Sequence, residues 1–60
     1  MPHYADLSPA AIGDTVRDID SNHTGKVIAI DEQRCNITVQ MGNSEQARVT
    51  IASIYFEKVA

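Results

Sequence analysis

Five short runs of β-forming residues, separated by turns of only a few residues, fill the chain from residue 14 to residue 59. The clearest run alternates apolar Ile37, Val39 and Met41 with polar residues, as expected of a strand with one buried face. No connection is long enough for the crossover helix that parallel strands need. The sequence therefore predicts an all-β fold made from an antiparallel meander.

The expected strands follow these runs along the chain. They cover residues 15–19, 24–30, 35–41, 47–51 and 55–59, with a 3₁₀ turn at residues 52–54. A strongly bent, nearly closed sheet would bury most of the apolar side chains in one core. The expected core residues are Val16, Val27, Ile30, Ile37, Val39, Val49, Ile51, Ile54, Phe56 and Val59. We also expect Cys35, at the start of an alternating run, to be an inert core thiol.

The N-terminal segment has a different character. Ser8, Pro9 and Gly13 could cap, begin and end one short helical turn, and the residues before Ser8 show no periodicity. We therefore expect residues 1–12 to form a flexible arm with a short helical turn, and residues 13–60 to form the β domain.

Length and charge restrict the functional classes. A chain of 60 residues forms one domain, and with Cys35 as its only cysteine it has no internal disulfide, so a partner or a second copy is a common source of stability. The net charge of -3 disfavours a protein whose affinity comes from neutralising phosphates. No apolar run approaches the roughly 20 residues of a membrane span, and no secretion signal is evident, so we expect a cytoplasmic protein without membrane contact.

Three segments resemble the SH3-like small barrels of the KOW and translation-protein type. They are Gly-Asp-Thr-Val-Arg at residues 13–17, Gly-Lys-Val-Ile-Ala-Ile-Asp at 25–31, and Ile-Tyr-Phe-Glu-Lys-Val at 54–59. The resemblance implies a five-stranded SH3-like open barrel with a short 3₁₀ turn before the last strand. It also implies that Lys26 lies where such domains meet RNA or a protein partner. A five-stranded OB-like barrel is the alternative fold.

The chain is also similar to the plasmid-type dihydrofolate reductases, small SH3-like chains that form tetramers around one shared pore. Residues 13–17 and 56–59 carry this similarity. The family's catalytic Val-Gln-Ile-Tyr segment would fall at residues 49–52, which are Val-Thr-Ile-Ala here. The similarity therefore implies a mode of assembly, a homo-oligomer with a shared small-ligand pore, without the catalytic residues.

Candidate chemistry within one chain is sparse. His3, His23 and Cys35 lack the paired spacing that presents two metal ligands from one local segment, so we expect no metal site and no cofactor. Aspartates in short loops usually stabilise turns, and a chain this small implies no deep apolar pocket around them. We expect no catalytic residues and a non-enzymatic protein.

The candidate binding residues are Arg17, Lys26, Ile28 and Arg48. The three basic residues fall at outward strand or turn positions, and Ile28 must face outward if its apolar neighbours face the core. The first hypothesis is a protein–protein interaction module whose barrel edge or outer strand face binds another protein or another copy of itself. The alternatives are a KOW-like nucleic-acid or ribonucleoprotein contact through the basic residues, and the oligomer with a shared pore.

Overall fold

The computed structural model describes residues 1–59 and confirms the all-β class. Within these residues the chain forms five strands and two 3₁₀ turns but no α-helix. The strands are β1 (Thr15–Asp18), β2 (Thr24–Asp31), β3 (Asn36–Gln40), β4 (Arg48–Ala52) and β5 (Phe56–Lys58). The 3₁₀ turns are Glu45–Ala47 and Ser53–Tyr55, and the second lies immediately before the last strand, as predicted.

The strands form one antiparallel sheet in the order β4-β3-β2-β1-β5. Each of the first four strands pairs with the next along the chain, and β5 returns to pair with β1. Strands β4 and β5 are therefore the two edges, and the sheet is not closed into a barrel.

A β-bulge in β2 explains its nearly continuous apolar sequence. Val27 pairs with Val39, but the next partner along β3 is shared by Ile28 and Ala29, so the register shifts by one residue. The extra residue allows Val27 and Ile30, three positions apart, to face the same side of the sheet. Both side chains thereby reach the core, and Ile28 remains on the opposite face.

The core lies on one face of the sheet, and half of its predicted members are buried. Ile30, Val49 and Ile51 are partly buried. The predicted residues that are fully buried are Val16, Val27, Ile37, Val39 and Phe56.

Three sequence-based expectations about the core are wrong. Ile54 is 58% exposed because it lies in the second 3₁₀ turn, of which only Ser53 is buried. Val59 is 50% exposed because β5 ends one residue before it. Cys35 is exposed with a positive φ of 54°, because it belongs to the turn that precedes β3 and not to the strand.

The N-terminal segment, expected to be a flexible arm, packs against the sheet. Pro2, Tyr4 and Ala10 are buried, and Tyr4 is the largest fully buried side chain of the described chain. No helical turn forms after Ser8; Pro9 instead makes an antiparallel bridge with His3. A five-stranded sheet this small leaves its core face open, and the arm supplies the aromatic ring that fills it.

Gly25 allows β2 and β3 to approach each other closely. A methyl group at Gly25 would lie 2.6 Å from Cγ1 of Val39 and 2.7 Å from the carbonyl oxygen of Gln40. Strands β2 and β3 can therefore coil tightly at this point only because the residue has no side chain.

Candidate interaction surfaces

The face of the sheet opposite the core, called the outer face here, collects the predicted binding residues. Lys26 pairs with Gln40, and Gln40 pairs with Arg48, so these three residues form one row across β2, β3 and β4. Adjacent strands are about 4.8 Å apart, which places the Lys26 and Arg48 backbones about 10 Å apart. The Nε atom of Arg48 donates to Oε1 of Gln40 at 2.6 Å, so the row fixes the position of the guanidinium.

Arg17 lies on the same face but in a neutralised position. It pairs with Thr24 of β2 and with Glu57 of β5, and its guanidinium forms a salt bridge with the Glu57 carboxylate. The outer face of the strands thus carries Arg17, Lys26 and Arg48 together with two acidic residues, Glu57 and Asp31, the last residue of β2. The sequence correctly placed the basic residues on strand surfaces, but only the register shows that they share one face.

Ile28 is 38% exposed on this face, beside exposed Ala29. Both residues lie at the bulge opposite Thr38. Because the bulge directs the two apolar side chains outward together, they form a small apolar spot next to the basic row.

The N-terminal arm closes the β5 edge at Phe56. The amide of Ala5 donates to the carbonyl oxygen of Phe56 at 2.8 Å, and the amide of Phe56 donates to the carbonyl oxygen of Ser53. The hydroxyl of Ser53 donates to the carbonyl oxygen of His3 at 2.6 Å. Both outward backbone groups of Phe56 are therefore satisfied within the chain.

A polar network holds the arm in this position. The hydroxyl of Tyr4 donates to Oδ2 of Asp14 at 2.8 Å, and the amide of Ala11 donates to the same oxygen at 3.1 Å. Nζ of Lys58 lies 3.7 Å from the other Asp14 oxygen. Burial and the hydrogen bond to the Asp14 carboxylate raise the pKa of Tyr4 to about 12, so the phenol stays neutral at physiological pH.

A tight turn at Asp6–Ser8 reverses the arm between Tyr4 and its hydrogen-bond partners Ala11 and Asp14. The amide and the hydroxyl of Ser8 both donate to Oδ1 of Asp6, at 3.1 and 2.6 Å. These two hydrogen bonds lower the pKa of the Asp6 carboxyl below its usual range. The turn places Leu7 at its tip with a φ of 71°.

The β4 edge is open. Hydrogen bonds from the Met41 amide to the Ala47 carbonyl oxygen, at 2.8 Å, and from the Ser53 amide to the Cys35 carbonyl oxygen, at 3.1 Å, flank the β3–β4 pairing. Hydrogen-bonded pairs alternate along an antiparallel ladder, so Val49 and Ile51 continue this series toward β3.

The alternate residues of β4, Arg48, Thr50 and Ala52, point their backbone groups away from the sheet. The amides of Thr50 and Ala52 and the carbonyl oxygens of Arg48 and Thr50 face outward, whereas the Arg48 amide donates to the Glu45 carbonyl oxygen. This edge was missed by sequence reasoning, since the strand order decides which strand is the edge.

Comparison with known proteins adds no relative. No protein-family model matches the chain, and neither does any curated protein or solved structure. Within residues 1–59 no helix is long and apolar enough to cross a membrane, and no group of three metal-binding side chains is present. The described residues also enclose no pocket.

Proposed function

We propose that this chain is a non-enzymatic interaction module that binds an extended protein segment along β4. The segment adds a sixth strand to the sheet, so that main-chain hydrogen bonds provide affinity and alternate side chains provide specificity. The observation that carries this proposal is the contrast between the two edges: the outward groups of Phe56 are satisfied by the chain itself, and those of Thr50 and Ala52 are presented outward.

Several features of β4 support strand addition. The β3–β4 pairing runs through five residue pairs without a bulge, and β4 contains no proline and only one charged residue, Arg48. Bulges, prolines and charges are the devices that protect an edge from pairing. Because Arg48 lies on the outer face beside the edge, an acidic side chain in the added strand would be favoured there.

A nuclear magnetic resonance titration tests this function. The probe is a short capped peptide of alternating threonine and valine with a glutamate at each end. We expect the largest amide shift changes at Thr50 and Ala52, and we expect Thr50→Pro to abolish the change at Ala52, because proline removes the neighbouring outward donor. Glu57→Gln, on the β5 edge, is the matched control and should leave binding unchanged. The absence of shifts at β4 at saturating peptide would contradict the proposal.

A second candidate function is nucleic-acid binding through the outer face. The register that unites Lys26 and Arg48 in one row favours it, since two long cationic side chains whose backbones are about 10 Å apart can contact phosphates of one strand. We expect Lys26→Ala combined with Arg48→Ala to abolish oligonucleotide binding at low salt. Lys58→Ala removes a cation that is engaged with Asp14 and serves as the control. No association of the native chain with any oligonucleotide at low salt would remove this candidate.

The SH3-like resemblance is supported by the five antiparallel strands and by the 3₁₀ turn before β5. The shared-pore assembly rests on the similarity to the plasmid-type reductases alone.

A further inference from the structure

We infer that the strand accepted at the β4 edge is β4 of a second copy of this chain, paired antiparallel about a two-fold axis at Thr50. This inference rests on the proposed function and names its partner. It follows from the sequence of β4 and from which of its backbone groups face outward.

The register about Thr50 is the one that uses the whole edge. It pairs Thr50 with Thr50, Arg48 with Ala52, and Val49 with Ile51 of the second copy. All five residues of β4 are then paired, and outward backbone groups meet outward backbone groups. The Thr50 pair contributes two hydrogen bonds, and each Ala52 amide contributes one more to the Arg48 carbonyl oxygen of the other copy.

Neighbouring registers are poorer. A shift that centres the axis on Val49 or on Ile51 leaves part of β4 opposite a 3₁₀ turn, at Glu45–Ala47 or Ser53–Tyr55. A shift that centres the axis on Arg48 places two guanidinium groups directly opposite each other, which is destabilising. A one-residue slip in the pairing, with the axis between two residues, would place outer-face side chains opposite core-face side chains.

The side chains on both faces agree with this register. On the core face, the half-buried pair of Val49 and Ile51 meets its counterpart, so apolar surface is covered by apolar surface. On the outer face, Oγ1 of Thr50 lies 2.8 Å from Oγ1 of Thr38. Two copies therefore form a continuous row of four threonines across the join, without a charge at its centre.

Disulfide trapping tests the register. The exposed thiol of Cys35 is first removed by Cys35→Ser, and Thr50→Cys is then added. A hydrogen-bonded antiparallel pair has a Cα separation of about 5.5 Å, which a disulfide can bridge. The matched control is Thr38→Cys, one strand inward on the same face, where the two copies would be about 14 Å apart. We expect Thr50→Cys to cross-link about ten-fold faster or more than Thr38→Cys under mild oxidation.

Mixed cross-linking distinguishes this register from its neighbours. Arg48→Cys and Ala52→Cys chains, each in the Cys35→Ser background, should cross-link when mixed and should fail to cross-link alone, because like positions are about 14 Å apart across the join. Equal rates for Thr50→Cys and Thr38→Cys, or cross-linking of Arg48→Cys alone, would overturn the inference.

Sedimentation at millimolar concentration separates the failure of this inference from the failure of the proposed function. A single-chain mass for the native protein, together with peptide-induced shifts at Thr50 and Ala52, would overturn self-pairing and leave strand addition intact. A single-chain mass without such shifts would overturn both. A dimer that Thr50→Pro reduces to a monomer supports both.

Discussion

The β5 edge and the β4 edge belong to the same sheet, but the chain treats them differently. At β5 the arm donates from Ala5 to Phe56, and Tyr4 fills the core behind the strand. At β4 the sheet ends at a strand of five residues whose alternate amides point outward.

The difference shows how a very small domain divides its surface. A domain of this size buries only about 60% of the surface of its unfolded chain, so its stability is marginal and it must use every apolar contact. The arm uses those contacts at one edge, and its hydrogen bond to Phe56 closes that edge at this residue as a consequence. The other edge keeps outward backbone groups that no part of the described chain covers.

The largest effect on stability is expected when Tyr4, the buried side chain that anchors the arm, is removed. Tyr4→Ala replaces the largest fully buried side chain with a cavity, and such changes cost about 3–5 kcal/mol. A domain of 60 residues has a total stability of roughly 3–9 kcal/mol. We therefore expect the melting temperature to fall by about 12–40 °C. Leu7→Ala, in the same arm but 78% exposed, should leave the melting temperature almost unchanged. Equal effects of the two changes would show that the arm does not stabilise the sheet.

High pH should release the arm without a mutation. An unfolded tyrosine ionises near pH 10, but burial raises the pKa of Tyr4 in the folded chain to about 12. The contribution of the neutral phenol is thus complete below pH 10 and is lost as the pH rises toward 12. We expect a loss of about 2–3 kcal/mol over this interval. Denaturant titrations of Tyr4→Phe should lack this component of the pH dependence, and an identical profile for both proteins would contradict the assignment.

Proline substitution at adjacent positions tests the phase of the β4 edge. Val49→Pro removes an amide that bonds to β3 and should cost about 1–3 kcal/mol. Thr50→Pro removes an outward amide and should cost less than about 1 kcal/mol, because an edge strand tolerates proline whose nitrogen faces solvent. Urea denaturation compares the two variants. A larger loss of stability for Thr50→Pro than for Val49→Pro would mean that the Thr50 amide bonds to β3 and does not face outward.

The smallest effect is expected for the ion pair that joins β1 to the β5 edge. The Arg17 and Glu57 side chains are substantially exposed, and surface pairs of this kind contribute about 0–1 kcal/mol. A double-mutant cycle with Arg17→Ala and Glu57→Ala should give a coupling in this range that weakens with salt. A coupling of several kcal/mol would mean that the pair, and not the arm, dominates the β5 edge.

Period-two alternation and short turns were sufficient to predict the strands. The five strands and the last 3₁₀ turn lie within one or two residues of their predicted positions. Ile54 and Val59 were misassigned because an apolar residue type indicates a preference for burial but does not show whether the residue lies within a strand. The predicted placement of Val27 and Ile30 on the core face is confirmed, but the bulge that permits it depends on the pairing with β3.

The arm and the β4 edge could not be predicted in the same way. Tyr4 lies in a segment without periodicity, and its burial depends on a gap in the sheet that appears only after the strands assemble. The Asp6 and Ser8 spacing is a turn signal that could have indicated an ordered segment. The outward groups of Thr50 depend on the strand order, which local sequence does not determine.

Amide hydrogen exchange, followed by nuclear magnetic resonance at low protein concentration, tests the contrast between the edges most directly. We expect the Thr50 and Ala52 amides to exchange quickly, and we expect those of Val49, Ile51 and Ala5 to be protected. Protection of Thr50 equal to that of Val49, or exchange at Ala5 as fast as at Thr50, would contradict a β4 edge that is open and a β5 edge that the arm closes at Phe56.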